Sequence, residues 1–395
     1  MPTVRLKPGH VQPVWAGHPW IYAQAVDRIE GGATAGDEVT VLDPRGNLMG
    51  RGFYSPGSAI PVRLLVRDTS TKLDASFFRS RIAHAAAWRE RLHLGEGKTD
   101  GYRLVHAEGD GLPGLVVDRF GDVLVVQFLT IGMKLREAFI LQELVSVMKP
   151  KAILDRTPVN VGKQEGFEPA SGVIRGEAIT EMTFHERGLA YRIPIDLGQK
   201  TGFYFDQRGL RARVEQLAAG QRVLDAYSYV GSFAMAAARG GAASVRSVDE
   251  SALALEVGAE CARMNQLEHK IEFVKKDARK ALQEAGEEGG FDLAVVDPPR
   301  LAPTRSSREA ALVGYAKIAE LGCRATKPGG ILVLCSCSAA VDLTALTRAL
   351  ATGAQRANVS AVVWDRAFQG ADHPVNAAFS EGLYLKALLA RIEPR

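Results

Sequence analysis

The feature that most constrains the fold is a regular alternation of short apolar runs with helix-like stretches after residue 186. The runs are RVLDAY, ASVRSVD, IEFVKKD, FDLAVVD and GILVLCS, and a helical pattern fills each gap. This order is typical of a parallel sheet with crossover helices. One more helical pattern, DLTALTRALA, and two further apolar runs, SAVVWDRAF and LYLKALLARI, follow. The sequence therefore predicts an α/β domain with a seven-stranded sheet over residues 186–395.

The first half of the chain has two other patterns. Residues 1–70 contain short β-like runs, EVTVLD and AIPVRLLV, broken by Gly and Pro, which predict a small β-rich domain. A helix that bridges two domains is predicted over residues 75–94, where apolar residues recur at three- and four-residue spacing. Strand patterns around the helical run KLREAFILQELVSVM predict a central α+β domain over residues 71–185. A chain of 395 residues is long enough for three such domains.

Composition narrows the environment and the partners. The chain has no apolar run of membrane-spanning length and does not begin with a leader-like segment, so we expect a cytoplasmic protein without membrane contact. A net charge of +4 permits an acidic partner without requiring one. The four cysteines lack CxxC spacing, so we expect reduced thiols and no metal site. They are Cys261, Cys323, Cys335 and Cys337.

Acidic residues follow four of the predicted strands. Asp225, Asp249, Asp277 and Asp297 come at the carboxyl ends of the strands, which is the edge where ligands bind in open α/β sheets. The first loop, AYSYVGSF, contains only Gly231, and neither GxGxxG nor GxxxxGK[ST] occurs, which argues against dinucleotides and nucleoside triphosphates. A nucleoside without phosphates fits best, and S-adenosylmethionine is the predicted cofactor.

Two features of these acidic residues bear on that prediction. Asp249 follows Asp225 by 24 residues, close to the spacing of about twenty at which a carboxylate can accept from ribose hydroxyls. The alternative is that Asp225, Asp249 and Asp277 are helix N-caps, because Asp between a strand and a helix commonly caps. Four carboxylates in register and no phosphate loop favour a methyltransferase sheet.

The fourth strand is followed by Asp297, Pro298, Pro299 and Arg300. Two prolines rigidify the turn and remove N–H donors, so the turn can present carbonyls and a carboxylate to a planar base. The prolines alone would also fit a simple loop breaker. Methylation of adenine nitrogen is disfavoured because an arginine stands where an aromatic residue usually follows the proline pair.

The fifth strand ends in CSCS, which places Cys337 at the cofactor edge. A thiolate that adds to C6 of cytosine makes C5 nucleophilic enough to take a methyl group, so Cys337 is the candidate nucleophile. The alternative is that Cys335 and Cys337 are both buried apolar residues. We adopt that interpretation for Cys335, and for Cys261 and Cys323 on predicted helices.

With these motifs the chain resembles the RlmI-like family, the S-adenosylmethionine-dependent large-subunit rRNA (cytosine-C5) methyltransferases, over nearly its whole length. The N-terminal segments GHPWIYAQAV and GDEVTVLDPRGNLMGRGFYSP resemble a PUA domain, a small β-barrel that binds RNA. Besides DPPR and SCS, the matching motifs are RLVHAEGDGLPGLVVDR (103–119), DLGQKTGFYFDQR (196–208), DAYSYVGSFA (225–234), SVDES (247–251), ADHPV (371–375) and EGLYLK (381–386).

The resemblance implies a class I, Rossmann-like methyltransferase domain and a set of site residues. It implies that Cys337 forms the covalent adduct and that Asp297 binds the edge of the flipped base. Arg300 takes the place of a second cysteine that assists product release in many RNA cytosine-C5 methyltransferases, so the base that removes the C5 proton is not identified. The cofactor-binding residues that it implies are Gln199, Lys200, Asp225, Tyr227, Ser228, Gly231, Asp249, Asp277 and Asp297.

The implied partner is 23S rRNA in a single-stranded or locally unfolded region, because a paired base cannot reach the methyl group. His373 of ADHPV either approaches the target pocket or is structural. A homodimer is compatible with this fold, but no sequence feature decides the oligomeric state. Candidate phosphate contacts are Arg5, Lys7, Arg45, Arg51 and Arg63.

The predicted activity is methylation of cytosine C5 in 23S rRNA, and the SCS motif favours cytosine over guanine N7. The alternatives are an RNA methyltransferase that acts on guanine N7 or uracil C5, and a noncatalytic rRNA-binding assembly factor.

Overall fold

The computed structural model describes residues 1–95, 97–197, 201–301 and 307–395. The strands are β1 (Thr3–Leu6), β2 (Trp20–Ile21), β3 (Val26–Glu30), β4 (Glu38–Leu42), β5 (Leu48–Tyr54), β6 (Val62–Val66), β7 (Gly101–His106), β8 (Leu115–Phe120), β9 (Val123–Phe128), β10 (Ala152–Asp155), β11 (Gly172–Gly176), β12 (Glu181–Glu186), β13 (Leu189–Pro194), β14 (Arg222–Ala226), β15 (Ser244–Asp249), β16 (Ile271–Lys275), β17 (Phe291–Val296), β18 (Thr326–Ser336), β19 (Val359–Phe368) and β20 (Lys386–Pro394). The α-helices are α1 (Val11–Trp15), α2 (Ala75–Arg91), α3 (Ile131–Lys134), α4 (Glu137–Met148), α5 (Val159–Glu165), α6 (Arg208–Leu217), α7 (Ser232–Arg239), α8 (Ala252–Met264), α9 (Ala278–Glu287), α10 (Arg308–Ala325) and α11 (Leu343–Arg356).

The chain divides into two compact units. The first comprises residues 1–188, 198–205 and 371–382, and the second comprises residues 189–197, 206–370 and 383–395. The first unit holds a six-stranded sheet of order β2-β6-β5-β4-β1-β3 and a five-stranded sheet of order β11-β10-β9-β8-β7.

Helix α2 confirms the helix predicted over residues 75–94. Its N-cap is Asp74, whose side chain accepts from the amides of Ser76 and Phe77. Phe78 and Ile82 lie on its buried face, in an apolar core that also includes Leu65 of the six-stranded sheet and much of the five-stranded sheet. The two sheets of the first unit therefore share apolar packing around α2.

The second unit contains the predicted seven-stranded sheet, in the order β16-β15-β14-β17-β18-β20-β19. The five strands from β14 to β18 are parallel, and β20 runs antiparallel to both neighbours. Because chain order reverses between β14 and β17, their carboxyl ends flank the switch point at which open α/β sheets bind ligands. The core on one face joins these strands to α9, α10 and α11.

No helix within the described residues is long and apolar enough to cross a membrane.

Three of the arginines interpreted as phosphate contacts have intramolecular partners. The guanidinium of Arg51 is buried and donates to the carbonyls of Thr69 and Thr71. Arg63 pairs with Glu165 at 3.7 Å. Arg5 donates to a backbone carbonyl and pairs with a glutamate at 3.7 Å. The interpretation is corrected for Arg51, which is buried; Arg5 and Arg63 have internal partners but stay partly exposed, and Lys7 and Arg45 are exposed as a phosphate contact requires.

Candidate functional site

The loop between β14 and α7 has an unusual backbone. Tyr227 and Tyr229 adopt left-handed φ angles of +64° and +52°, and Gly231 has φ of +68°. Non-glycine residues adopt this conformation rarely, and such strain concentrates at functional sites. A Cβ at Gly231 would come within 2.9 Å of the Phe273 ring, so only glycine fits there.

Neighbouring strand β15 holds this loop in place. The amide of Ser228 donates to the carbonyl of Val248 at 2.9 Å. The amide of Tyr229 donates to Oδ2 of Asp249 at 2.8 Å, and Oδ1 of Asp249 accepts from the Ser251 amide at 2.9 Å. Asp249 therefore fixes the shape of the loop, and Ser251, not Asp249, is the N-cap of α8.

Asp225 is buried at the base of the same loop, with an exposure of 1%. Its Oδ2 accepts from the Ala234 amide in the first turn of α7 at 3.0 Å, although Gly231 occupies the N-cap position. Burial raises the pKa of Asp225 to about 8; the hydrogen bond from the Ala234 amide opposes this rise, and the negative charges of Asp297 and Asp249 add to it. Among the described residues, Oδ1 of Asp225 and Oγ of Ser228 have no hydrogen-bond partner.

These groups suit a ligand that carries hydrogen-bond donors and a positive charge. Buried acceptors without protein partners are costly unless a ligand or water satisfies them. A cationic group beside Asp225 would lower its pKa and stabilise the ionised carboxylate. S-adenosylmethionine, which has an ammonium, a sulfonium and ribose hydroxyls, fits this donor set.

The remaining predicted cofactor residues fall into two groups. Asp277 is the N-cap of α9, because its Oδ1 accepts from the Lys280 amide at 2.9 Å, and this hydrogen bond lowers its pKa. The capping alternative therefore holds for Asp277, although its side chain stays partly exposed at the ligand edge of the sheet. Gln199 and Lys200 lie outside the described residues.

Asp297 follows β17 at the switch point and contacts a residue that the sequence reasoning missed. Nε2 of Gln207, which is 3% exposed, donates to Oδ2 of Asp297 at 2.9 Å. Gln207 belongs to the quoted motif DLGQKTGFYFDQR, so its place in a motif was the available signal. This contact orients the Asp297 carboxylate from the start of α6.

Two cysteines separated by one residue have opposite environments at the end of β18. Cys335 is fully buried, and burial raises the pKa of its thiol well above the usual value. Cys337 comes directly after the strand and is partly exposed. Cys261 in α8 and Cys323 in α10 are buried, and burial raises their pKa values to about 11 and about 12. The packing interpretation is confirmed for these three cysteines, and Cys337 differs from all of them.

The two residues that flank Cys337 belong to a chain of hydroxyl groups. Oγ of Ser336 donates to the hydroxyl of Tyr315 at 2.9 Å, and that hydroxyl lies 3.1 Å from Oγ of Ser338. Burial raises the pKa of Tyr315, and the negative charges of Cys337 and Asp297 raise it as well. The candidate nucleophile Cys337 and the candidate base-binding carboxylate Asp297 therefore both lie close enough to the buried Tyr315 hydroxyl to affect its ionisation.

His373 lies in the first unit and has a structural environment. It is 2% exposed, its Nδ1 is 3.1 Å from Oδ1 of Asp372, and its ring is 4.9 Å from the ring of His106. Burial lowers the pKa of His106 well below its usual value. Of the two interpretations of His373, these contacts support the structural one.

Comparison with known proteins supplies the family. Residues 4–67 match the model of a PUA-like domain, and residues 136–383 match the model of an S-adenosylmethionine-dependent methyltransferase. The chain belongs to the S-adenosylmethionine-dependent methyltransferase family. This methyltransferase therefore combines the predicted cofactor and sheet with an N-terminal PUA-like domain.

Full-length relatives and solved structures agree with this assignment. The methyltransferase is 37% identical to Ribosomal RNA large subunit methyltransferase I of Shewanella denitrificans over 98% of this chain and 99% of that protein. It is also 37% identical to the protein of that name from Klebsiella pneumoniae, over 99% and 98% of the two chains. A structure described as a SAM-dependent methyltransferase from Streptococcus mutans has a TM-score of 0.84 at 19% identity, over 99% and 100% of the two chains. A structure described as a methyltransferase complexed with SAH has a TM-score of 0.86 at 20% identity, with the same coverage.

Proposed function

We propose that this methyltransferase transfers a methyl group from S-adenosylmethionine to C5 of a cytosine in 23S rRNA. The observation that carries the proposal is the position of Cys337, a partly exposed residue at the ligand edge of the sheet, where its negative charge and that of Asp297 both act on Tyr315. The ribosomal RNA named in the relatives supports the substrate class.

Bound S-adenosylmethionine supplies an electrophilic methyl group on its sulfonium. Asp225, Ser228 and the loop that ends at Gly231 would hold it, with Asp249 fixing the loop. Asp277, Gln199 and Lys200 complete the proposed set, as the family resemblance implies. Residues of the protein bind, orient and activate the base.

Cys337 is the proposed nucleophile. Its Sγ forms a bond to C6 of cytosine, and the ring electron pair moves to C5, which then takes the methyl group. Loss of the C5 proton to a base and breakage of the Sγ–C6 bond restore the aromatic ring and the thiolate. Asp297, held by Gln207, accepts from the exocyclic amine and, in its protonated form, donates to N3, so that the ring accepts electrons as sulfur adds.

The proposed substrate is single-stranded or locally unfolded RNA, so that the target base can enter the pocket. The three proposed domains share the work: residues 1–70 bind RNA, residues 71–185 extend that surface, and residues 186–395 carry the chemistry. Lys7 and Arg45 are the exposed N-terminal cations available for phosphate contacts.

The product identifies the reaction. We expect the full-length protein with labelled S-adenosylmethionine to methylate 23S rRNA from cells that lack it, and nucleoside digestion with mass spectrometry to give 5-methylcytidine. 7-Methylguanosine or 5-methyluridine would refute the cytosine assignment while keeping the family activity. RNA binding without methyl transfer to any form of the rRNA would refute the enzymatic assignment and favour an assembly factor.

A further inference from the structure

A lysine is buried against the segment that carries Cys337. Lys386 begins β20, is 3% exposed, and pairs in the antiparallel register with Ser336, the last residue of β18. Its Nζ donates to the backbone carbonyl of Ser338 at 2.9 Å. Lys386 is therefore tied to the residues on both sides of Cys337, to one by strand pairing and to the other by its side chain.

Three further sets of contacts hold this segment and the residues that follow it. Tyr315 of α10 hydrogen-bonds the hydroxyls of Ser336 and Ser338. The carbonyl of Ser338 also accepts from the amide of Val341 at 3.0 Å. Nε of Arg308 donates to the carbonyl of Ala340 at 3.0 Å. The backbone that presents Cys337 is thus fixed before any substrate arrives, which is what precise presentation of a nucleophile needs.

Burying an ammonium group is costly unless an anion or strong acceptors offset the loss of water. Burial lowers the pKa of Lys386 to about 8, while the negative charges of Cys337 and Asp342 act to raise it. Asp342 caps α11 and lies 3.5 Å from Arg308, so its charge is shared with that arginine. Tyr315 stays neutral because its pKa is raised. Of the two negative charges that act on Lys386, that of a Cys337 thiolate has the larger effect, and Cys337 lies between the two residues that Lys386 contacts.

Electrostatic coupling between two titrating groups is reciprocal. If the thiolate of Cys337 favours the charged form of Lys386, the ammonium favours the thiolate by the same free energy. An unperturbed thiol has a pKa of about 8.5 and is mostly protonated at neutral pH. A neighbouring ammonium raises the fraction of the reactive form.

We propose that Lys386 is a positioning residue of this site: it holds the Ser336–Ser338 segment and stabilises the thiolate of Cys337. This inference rests on the proposed function, in which Cys337 is the nucleophile. Lys386 acts through Cys337 and needs no contact with the base or the cofactor.

The test measures the ionisation of Cys337 directly. The full-length protein is alkylated with iodoacetamide over a range of pH, and modification of each cysteine is followed by mass spectrometry. We expect Lys386→Met to raise the midpoint of the Cys337 profile by about one pH unit, and to slow its alkylation at pH 7 about tenfold. Lys386→Arg, which keeps the charge, should restore most of the wild-type rate.

Two controls separate chemistry from unfolding. Lys327→Met removes a lysine from the opposite end of β18, where Lys327 pairs with Asp292 at 2.8 Å, and should leave the Cys337 profile unchanged. The buried thiols of Cys261 and Cys323 should stay protected in every folded variant. Equal Cys337 midpoints in wild type and Lys386→Met, with these thiols protected, would overturn the proposal.

A reciprocal measurement keeps the test decisive if Lys386→Met unfolds. NMR titration of lysine side chains labelled at Cε, with Lys386 assigned from Lys386→Arg, should show a lower Lys386 midpoint in Cys337→Ala than in wild type. An unchanged midpoint would contradict the coupling. Neither readout needs turnover, so full methylation by Cys337→Ser would refute the proposed function without deciding the Lys386–Cys337 coupling.

Discussion

The loop after β14 and the segment after β18 follow two parallel strands of one sheet that are separated by β17, but their polar groups are arranged in opposite ways. In the first, Asp225 and Ser228 keep acceptor atoms for which the described residues provide no partner. In the second, the hydroxyls of Ser336 and Ser338 meet Tyr315, and the Ser338 carbonyl meets Lys386.

The difference separates a place that receives a ligand from a place that presents a nucleophile. A cofactor site needs hydrogen-bond acceptors that have no protein partner before the ligand binds. In the loop after β14, Asp249 of the neighbouring strand stabilises the left-handed backbone at Tyr227 and Tyr229. A nucleophile needs a fixed backbone, and in the segment after β18 the polar groups therefore form hydrogen bonds within the protein. Substitutions in the loop after β14 should therefore mainly weaken cofactor binding, whereas substitutions in the segment after β18 should mainly lower turnover.

The largest expected effect is at the nucleophile. Cys337→Ser should lower kcat by at least about 10³-fold, because a hydroxyl does not ionise near neutral pH, while cofactor affinity stays within about twofold. Methyl transfer assays and isothermal titration calorimetry measure the two quantities. Cys323→Ala, which removes a buried thiol from α10, should keep wild-type turnover. Substantial activity in Cys337→Ser would remove the covalent role from Cys337.

The reverse pattern is expected at the cofactor loop. Asp225→Ala should weaken S-adenosylmethionine binding about 10- to 100-fold, because it removes both the anchor to the Ala234 amide and a buried acceptor. At saturating cofactor, much of the turnover should return. Equal cofactor affinity in the variant and the wild type would place the cofactor away from Asp225.

Asp225 should also give the ligand-free protein a distinct pH dependence. Its pKa of about 8 in the folded state exceeds the value of about 4 for an unfolded aspartate, so the folded state binds more protons between these values. The free energy of unfolding should therefore fall as pH rises through this window, by about 2.5 kcal/mol between pH 5.5 and 7.5.

Urea denaturation at the two pH values measures this dependence. Asp225→Asn should remove most of it. Asp277→Asn should leave it intact, because the folded pKa of Asp277 is lowered and its titration falls below the window. A pH dependence that Asp225→Asn does not change would contradict the raised pKa.

The smallest expected effect is at the helix cap. Asp277→Ala should cost about 1 kcal/mol of stability through loss of the N-cap of α9. If Asp277 also contacts the cofactor, saturating S-adenosylmethionine should stabilise the variant less than the wild type in a thermal shift assay. An equal shift would leave Asp277 with the capping role alone.

The sequence predicts the sheet well because each strand is a short apolar run whose end is marked by a polar residue. The seven strands, helix α2 and the burial of Cys335 all follow from such local patterns. Long-range contacts do not have local signals. Gln207 reaches Asp297 from ninety positions earlier in the chain, and the pairing of Lys386 with Ser336 depends on an antiparallel last strand.

The roles of individual charged side chains were also harder to predict from the sequence than the strands were. Nothing local distinguishes Arg51 and Arg63, whose side chains have intramolecular partners, from Lys7 and Arg45, which are exposed. Each of these residues flanks or lies in a short β-like run, and only the sheet decides which side chains point inward. Asp277 likewise matches both a cap and a ligand contact until its hydrogen bond to Lys280 is seen.

Trapping of the RNA adduct tests the central claim most directly. A fluorine at C5 of the target cytosine leaves no proton to remove after methyl transfer, so the Sγ–C6 bond cannot break and the complex should survive denaturation. With 5-fluorocytosine-substituted 23S rRNA and S-adenosylmethionine, the wild-type protein should form this complex, and peptide mapping should locate the base on Cys337. Methylation of unsubstituted cytosine without any trapped complex, or a complex through another residue, would contradict the account.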